Sequence, residues 1–364
     1  MMKIGYIVST LENSGPVNIM YNIIKYLDMK IIKVYIYTLS KEKENSRLED
    51  FKQLGCVIKK IEITNREIYF GNLKKVEEIL EEDKVQILHS HCLRSNIILS
   101  KIKIKIKKIC TIHANIKEDY KFKFGRVKGY ILEKIYLRTL KNIENKICCS
   151  NSVLNEMRKL TREKLNYITN GVDLKNYKIE KSKIMSRKIL NLDEKEIIFI
   201  SVGSLCDRKD SYFIAENITK MGLKNYKLIL LGEGKQRGKI EKLNNPNIIL
   251  TGKIKNIKEY LNAADIYISA SNSEGMPNSV LEALAFKLPV LLSNIEAHQE
   301  IYKLNRECGE IFIKNSDFNK KIELIIKKDY KNLSEEAYSV VSKYLNAVKM
   351  SQYYEQYYLK GNNK

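Results

Sequence analysis

Two glutamates, Glu274 and Glu282, bracket Gly275, Met276, Pro277, Asn278 and Ser279 in the run SNSEGMPNSVLEALAFKLPVLLS. Carboxylates accept hydrogen bonds from sugar hydroxyls, and the first turn of a helix opening after Pro277 offers unpaired N–H groups at the positive end of its dipole. Two acceptors flanking an anion seat suit a ligand that is part phosphate and part polyol, such as a nucleotide sugar. Gly275 permits close approach of that ligand to the backbone. Three of the four histidines, His89, His91 and His113, fall at or just after apolar runs in the first half of the chain. The spacing of His89 and His91 permits a metal pair, but no third ligand stands nearby, and either ring equally suits a hydrogen-bonded core position.

Those groups need elements to hold them. Residues 266–269 read as a buried strand, 278–286 as a helix and 290–293 as the next strand, restarting after Pro289. At helical spacing Val280, Leu281, Leu284 and Ala285 share one face while Ser279, Glu282 and Phe286 share the other, so Glu282 is expected to point away from the packed side. In the first half, strand-like runs recur at 3–9, 32–37, 57–61, 85–89, 109–113 and 146–149, with helical patterns between them. Such alternation predicts a doubly wound α/β domain, whose ligands sit beyond the carboxyl ends of parallel strands. The loop carrying Ser14 and Gly15 joins the first strand to a helix, a phosphate-cradling arrangement that one glycine supports only weakly.

Composition sets the limits. A chain of 364 residues accommodates two domains, each with its own core. No stretch reaches the roughly 20 apolar residues of a membrane-spanning helix, and MMKIGYIVS runs straight into a strand, so a cytoplasmic protein is expected. Seven cysteines without CxxC spacing make neither a disulfide framework nor a zinc site. The net charge of +22 asks for an anionic partner, but no DNA- or RNA-binding motif accompanies it, and nucleic acid is not expected. Between Lys101 and Ser150 stand 14 Lys and Arg against 4 Asp and Glu, with Tyr120, Phe122, Phe124 and Tyr130 interleaved. Basic residues among aromatics suit an anionic membrane surface, though a solvated helix in a lysine-rich chain reads the same way.

The run from Ser273 to Ser293 resembles, nearly position by position, the signature of the retaining family-4 glycosyltransferases (glycosyl transferases group 1). The match is Glu-Gly-x-Pro, a second Glu followed by Ala, then Pro-Val and a Ser. The resemblance implies α/β GT-B architecture, two Rossmann-like doubly wound parallel-sheet domains facing across a cleft. Residues 1–178 would bind the acceptor, 179–345 the nucleotide sugar, and 346–364 would cross back to the N-terminal domain. Lys178 to Lys195 reads as a polar linker with a short helix. The implied reaction transfers a hexosyl or N-acetylhexosaminyl unit to a glycan or lipid-linked acceptor, with retention of configuration and with neither cofactor nor metal. Surface-polysaccharide assembly is the implied setting, and if the basic run between Lys101 and Ser150 is functional, peripheral docking on the inner membrane face is expected with it.

Carried over residue by residue, the resemblance places His113 near the transferred sugar, with His91 behind it or on the acceptor side, and the acceptor or phosphate loop at Ser14 and Gly15. Gly203, Ser204, Arg208 and Lys209 fall in the diphosphate loop, and Gly252 and Ile254 in the stretch seating the donor base. His113, Lys209 and Glu274 are the expected catalytic residues, and Glu274 to Ser279 with Glu282 complete the donor site. The chain departs from the pattern at three places. Ser14 replaces a glycine, and Ser204 replaces the arginine that usually clamps the diphosphate, a charge Arg208 is placed to restore. Lys287 replaces the glycine that usually ends the signature helix, and His298 is expected to line the cleft. Two rivals are a nucleotide-sugar epimerase of the same fold, which needs further acid/base carboxylates, and a non-catalytic partner subunit, suggested by Ser204.

Overall fold

The structure, a computed structural model, describes residues 1–360 apart from Asn72, Ile179 and Lys255. Its strands are β1 (Met2–Val8), β2 (Ile32–Thr38), β3 (Val57–Lys60), β4 (Ile87–Ser90), β5 (Lys107–Ile112), β6 (Asn145–Cys148) and β7 (Asn166–Tyr167) in the first sheet. The second sheet holds β8 (Ile197–Val202), β9 (Tyr226–Leu231), β10 (Ile248–Gly252), β11 (Ile266–Ser269), β12 (Val290–Ser293) and β13 (Gly309–Phe312). The strand orders are β3-β2-β1-β4-β5-β6-β7 and β10-β9-β8-β11-β12-β13, and every pairing within them is parallel. The chain is α/β, with two Rossmann-like sheets. In each sheet the order reverses once, between β1 and β4 and between β8 and β11, and a doubly wound sheet opens its ligand crevice at that reversal.

The central strands are continuous apolar runs because helices cover both faces of a parallel sheet. In β1, Ile4, Tyr6, Ile7 and Val8 are all buried. The helix Asn278–Ala285 buries Val280, Leu281 and Leu284 between its sheet and the helix Tyr330–Lys343, so that Leu284→Ala costs about 2–5 kcal/mol. It ends with Lys287 in the left-handed region at φ 61°, its N–H donating to the Leu284 carbonyl. That is the place glycine usually fills, so this chain keeps the turn and accepts its backbone strain.

The chain divides into two units, Met1–Gly171 with the segment from Ala347 onward, and Val172–Asn346. The division falls after Gly171 rather than at 178/179. Val172 N–H donates to the Leu345 carbonyl at 2.9 Å and Tyr177 packs edge-on against Phe286, which draws the segment before 178 into the second unit. The short helix expected within 178–195 is present as Lys183–Ile189. Arg187, 4% exposed, donates to the carbonyls of Ala263, Glu194 and Glu196 and pairs with Asp265, building its helix Lys183–Ile189 into the second unit.

The helix Ala347–Leu359 completes the first unit. Its Tyr354 and Tyr358 are buried in the core with Ile4, Tyr6 and Ile87. Burial obliges both hydroxyls to find partners: Tyr358 bonds Tyr6 and His89, each at 2.8 Å, and Tyr354 bonds Thr111 at 3.1 Å.

Candidate active site

In the second unit the loops after β8 and β11 flank the reversal point. The loop after β8 turns at Gly203, φ 149°, and a Cβ there would stand 3.1 Å from Lys209 Cε, so glycine lets the lysine stem lie along the backbone. Gly203 is tied to the neighbouring strand by its N–H on the Leu231 carbonyl, and Gly232 N–H continues the link to the Gly252 carbonyl. The loop after β11 presents Glu274, whose two oxygens are fully engaged. Oε2 accepts from Arg208 at 2.8 Å, while Oε1 accepts from Lys209 at 2.6 Å and from the Ser271 hydroxyl at 2.7 Å. Arg208 also donates to the Ser273 carbonyl at 2.9 Å.

Burial by itself pushes the Glu274 carboxyl up. Lys209, then Arg208, with the hydrogen bonds from Lys209 and Ser271, outweigh that penalty and hold it at about 2. Glu282 lies one turn into the helix and has no such compensation. Burial raises it to about 7, against the hydrogen bond of the Tyr177 hydroxyl and the charge of Lys209. The surface of Glu282 is thus not an open one. Phe286, expected on the same solvent-facing side, is buried, and Tyr177 covers both residues. One carboxylate is held firmly ionised by two cations, and the other is balanced between its two forms near neutrality.

Of the remaining donor-site candidates, Met276 and Pro277 are buried at the helix entry, Asn278 opens the helix, and Ser279 accepts from the Tyr267 hydroxyl at 2.8 Å. Gly275 is buried between Glu274 and Met276, and Ser204 is exposed. Gly252 ends β10 and accepts from the Gly232 N–H, Ile254 follows two residues on, and Lys255 beside it lies outside the described residues. His298 is not a lining residue. It is fully buried, with Nδ1 within 2.9 Å of the Ser293 carbonyl oxygen, and burial pulls it down to about 4. Sequence reasoning missed Tyr177 and Ser271, which act on the two glutamates.

In the first unit the loop after β1 and the residues after β4 flank the other reversal point. Ser14 and Gly15 are exposed there at the start of the helix Gly15–Lys25. His91 follows β4 and His113 follows β5, and the structure brings them together, His91 Nδ1 lying 2.9 Å from His113 Nε2. His89 is a satisfied core residue, bonded to Tyr358 and to Thr111 at 2.8 Å. Burial holds His89 down at about 3 and His113 at about 4, and His91 well below its ordinary value. Among the described residues no cluster of three or more His, Cys, Asp or Glu is arranged to hold a metal ion.

Sequence comparison gives the class: the chain belongs to the glycosyltransferases, and its two parallel-sheet units have the GT-B fold. Residues 182–340 match the profile of Glycosyl transferases group 1, and residues 13–176 that of Glycosyltransferase Family 4. Among proteins it resembles are the O-antigen biosynthesis glycosyltransferase WclY of Escherichia coli, 26% identical over 98% of both chains, and the UDP-Gal:alpha-D-GlcNAc-diphosphoundecaprenol alpha-1,3-galactosyltransferase of Escherichia coli, 24% identical over 87% of this chain and 78% of that one. The structure of Anabaena Alr3699/HepE in complex with UDP-glucose superposes with a TM-score of 0.82 over 98% of this chain and 99% of that one, at 14% identity.

Proposed function

We propose that this glycosyltransferase moves a hexosyl or N-acetylhexosaminyl unit from a nucleotide-diphosphate sugar to a glycan or lipid-linked acceptor, retaining the configuration, in the assembly of a bacterial surface polysaccharide. The observation that carries the donor class is the Arg208–Glu274–Lys209 cluster beside the N-terminus of helix Asn278–Ala285. A departing diphosphate develops negative charge, and preorganised cations are the groups that stabilise it. They supply positive charge where other enzymes use a metal, so activity is expected to persist in chelator. Glu282 suits a ribose, since a carboxylate takes two hydroxyl hydrogens at once. His113 is assigned a part in the transfer, and Ser14 and Gly15 the acceptor. The setting follows the relatives, one named for O-antigen biosynthesis and one for a diphosphoundecaprenol acceptor.

The first unit's helices support a membrane-borne form of the acceptor. The basic run is split at Gly125, φ 79°, into helices Ile116–Phe124 and Arg126–Leu140, packed so that Gly129 meets the Tyr120 carbonyl. Tyr120 is therefore buried against Tyr136 rather than presented outward. Phe122, Phe124, Val127, Tyr130 and Ile131 remain exposed, with Lys128 over the Phe124 ring and Lys134 over the Tyr130 ring. Apolar side chains collared by cations suit an anionic bilayer, each cation contributing about 1 kcal/mol and losing it as salt rises. Among the described residues no helix is long and apolar enough to cross a membrane.

A panel of UDP-, GDP-, ADP- and CMP-sugars tests the donor. The right one stabilises the fold by roughly 2.7 kcal/mol at 100 times its dissociation constant and is consumed in the presence of acceptor. Stabilisation without turnover over a broad acceptor set would favour a binding subunit, and an inverted anomeric centre in the product would overturn retention. Flotation with anionic vesicles at low salt, diminished by Lys128→Glu with Lys134→Glu, tests the membrane arm, and failure to float leaves a soluble acceptor.

A further inference from the structure

His89, His91 and His113 form a continuous file of rings in the first unit. Centroids of His89 and His91 lie 4.4 Å apart, those of His91 and His113 5.1 Å, and Tyr6 borders His91 at 5.8 Å. Both nitrogens of His89 are already bonded, so His89 offers His91 nothing but its face. The one hydrogen bond of His91 in the file runs from its Nδ1 to His113 Nε2. Its Nε2 is buried and has no partner among the described residues. Because burial keeps both rings far below their ordinary values, both are neutral near pH 7, and a bond between two neutral imidazoles needs one ring to donate and the other to accept.

Two arrangements satisfy that bond. If His113 donated from Nε2, the proton of neutral His91 would sit on its Nε2, a buried N–H with no acceptor. If His91 donates from Nδ1, its Nε2 carries only a lone pair, and buried orphan donors are rarer than under-used acceptors. With Nε2 of His113 then filled, its own proton must be on Nδ1, the single nitrogen left for a ligand.

We propose that His91 is a positioning residue that donates from Nδ1 to His113 Nε2 and so fixes His113 as the Nδ1–H tautomer, a neutral hydrogen-bond donor toward a substrate oxygen. His113 in this state has no free acceptor nitrogen and does not serve as a base. The matching ligand atom is an acceptor, a sugar hydroxyl oxygen or a phosphate oxygen. The ligand side of this inference rests on the proposed transferase reading, while the tautomer itself does not.

The test is a long-range 1H–15N spectrum of the full chain labelled at histidine, whose four imidazoles are assigned by substituting each in turn. His113 is expected to show a protonated Nδ1 and a bare Nε2. His91→Phe keeps a flat ring against Tyr6 and His89 but removes the donor, and is expected to shift His113 to a mixture of tautomers and to lower kcat about tenfold with the donor KM little changed. His91→Asn, which returns an amide donor near the place of Nδ1, is expected to restore both. A protonated Nε2 on wild-type His113, or His113 signals unchanged by His91→Phe, overturns the proposal. Should His91→Phe fail to fold, the wild-type spectrum decides alone. Full turnover of His113→Ala would instead overturn the substrate reading and leave the tautomer result standing.

Discussion

The two units place polar side chains at the same topological position, yet the chemistry there is opposite. At the reversal point of the first sheet burial has won, and three histidines are stripped of charge, His89 bonded to Tyr358 and Thr111 and His91 bonded to His113, all by neutral hydrogen bonds. At that of the second sheet burial has lost for Glu274, because two cations and a serine hydroxyl repay its desolvation, and has half won for Glu282, which has one distant cation and one phenol. The scaffold thus decides where a site lies, and the count of opposite charges within about 3 Å decides whether that site is ionic. A neutral site can orient hydroxyls. An ionic one can bind and release a diphosphate.

The largest test of this contrast sets Lys209→Ala beside His113→Ala. Losing a preorganised charge at a developing anion costs about 10²–10³ in turnover, whereas losing a neutral donor costs about tenfold. Initial rates with the stabilising donor, and circular dichroism to check the fold, measure both. Equal losses would show that the second site is no more electrostatic than the first.

Glu282 gives the next effect, in stability. Its folded-state value of about 7 lies above the unfolded carboxylate's, so between about pH 4.5 and 7 the folded protein holds a proton that the unfolded chain has released, and stability falls as pH rises. The buried histidines act with the other sign, their folded values lying below the unfolded one, so acid below about pH 6.5 destabilises them. Subtracting the variant from the wild type separates the two. Glu282→Gln is expected to gain up to about 3 kcal/mol on wild type at pH 8 relative to pH 5, while losing most activity. Denaturant midpoints at the two pH values decide it, and an unchanged difference would mean Glu282 is solvated.

A smaller contrast lies within the ionic site. Arg208→Ala is expected to lower turnover by about tenfold and Ser204→Ala by under twofold, since Arg208 holds Glu274 and Ser273 while Ser204 is exposed. The reverse order would refute the idea that Arg208 replaces the missing charge.

What could be read from the residues follows the same physics. Apolar runs marked β1 to β6, β11 and β12, because parallel strands are buried on both faces. β13 escaped because it opens on Gly309, a residue that usually weakens a strand. Here a Cβ would stand 1.9 Å from the Val290 carbonyl oxygen, a closeness no pattern in the sequence reveals. Glu274 and Glu282 stood out by spacing and resemblance, but the cations on Glu274 lie some 65 residues away in the chain and meet it only through sheet order. The polar composition of 178–195 gave the short helix but not its packing, since Arg187 is buried by satisfying carbonyls rather than by being apolar. Histidines at strand ends were legible as a group. Their pairing was not.

Tyr177 carries the smallest and most discriminating prediction. Its hydroxyl lowers Glu282 against the burial that raises it, and its ring closes the surface over Phe286. Tyr177→Phe keeps the ring and removes the hydrogen bond, so Glu282 should titrate above about 7 and be mostly protonated at neutral pH. A protonated carboxyl accepts fewer hydrogen bonds, and if Glu282 grips a ribose the donor KM should rise a few-fold at pH 7. Recovery toward the wild-type KM at pH 8.5, with kcat unchanged there, separates this electrostatic effect from a packing defect, which would persist at every pH. If the KM profile of the variant superposes on that of the wild type, Glu282 binds nothing as an anion. The ionic character of the second site then rests on Glu274 and its two cations alone.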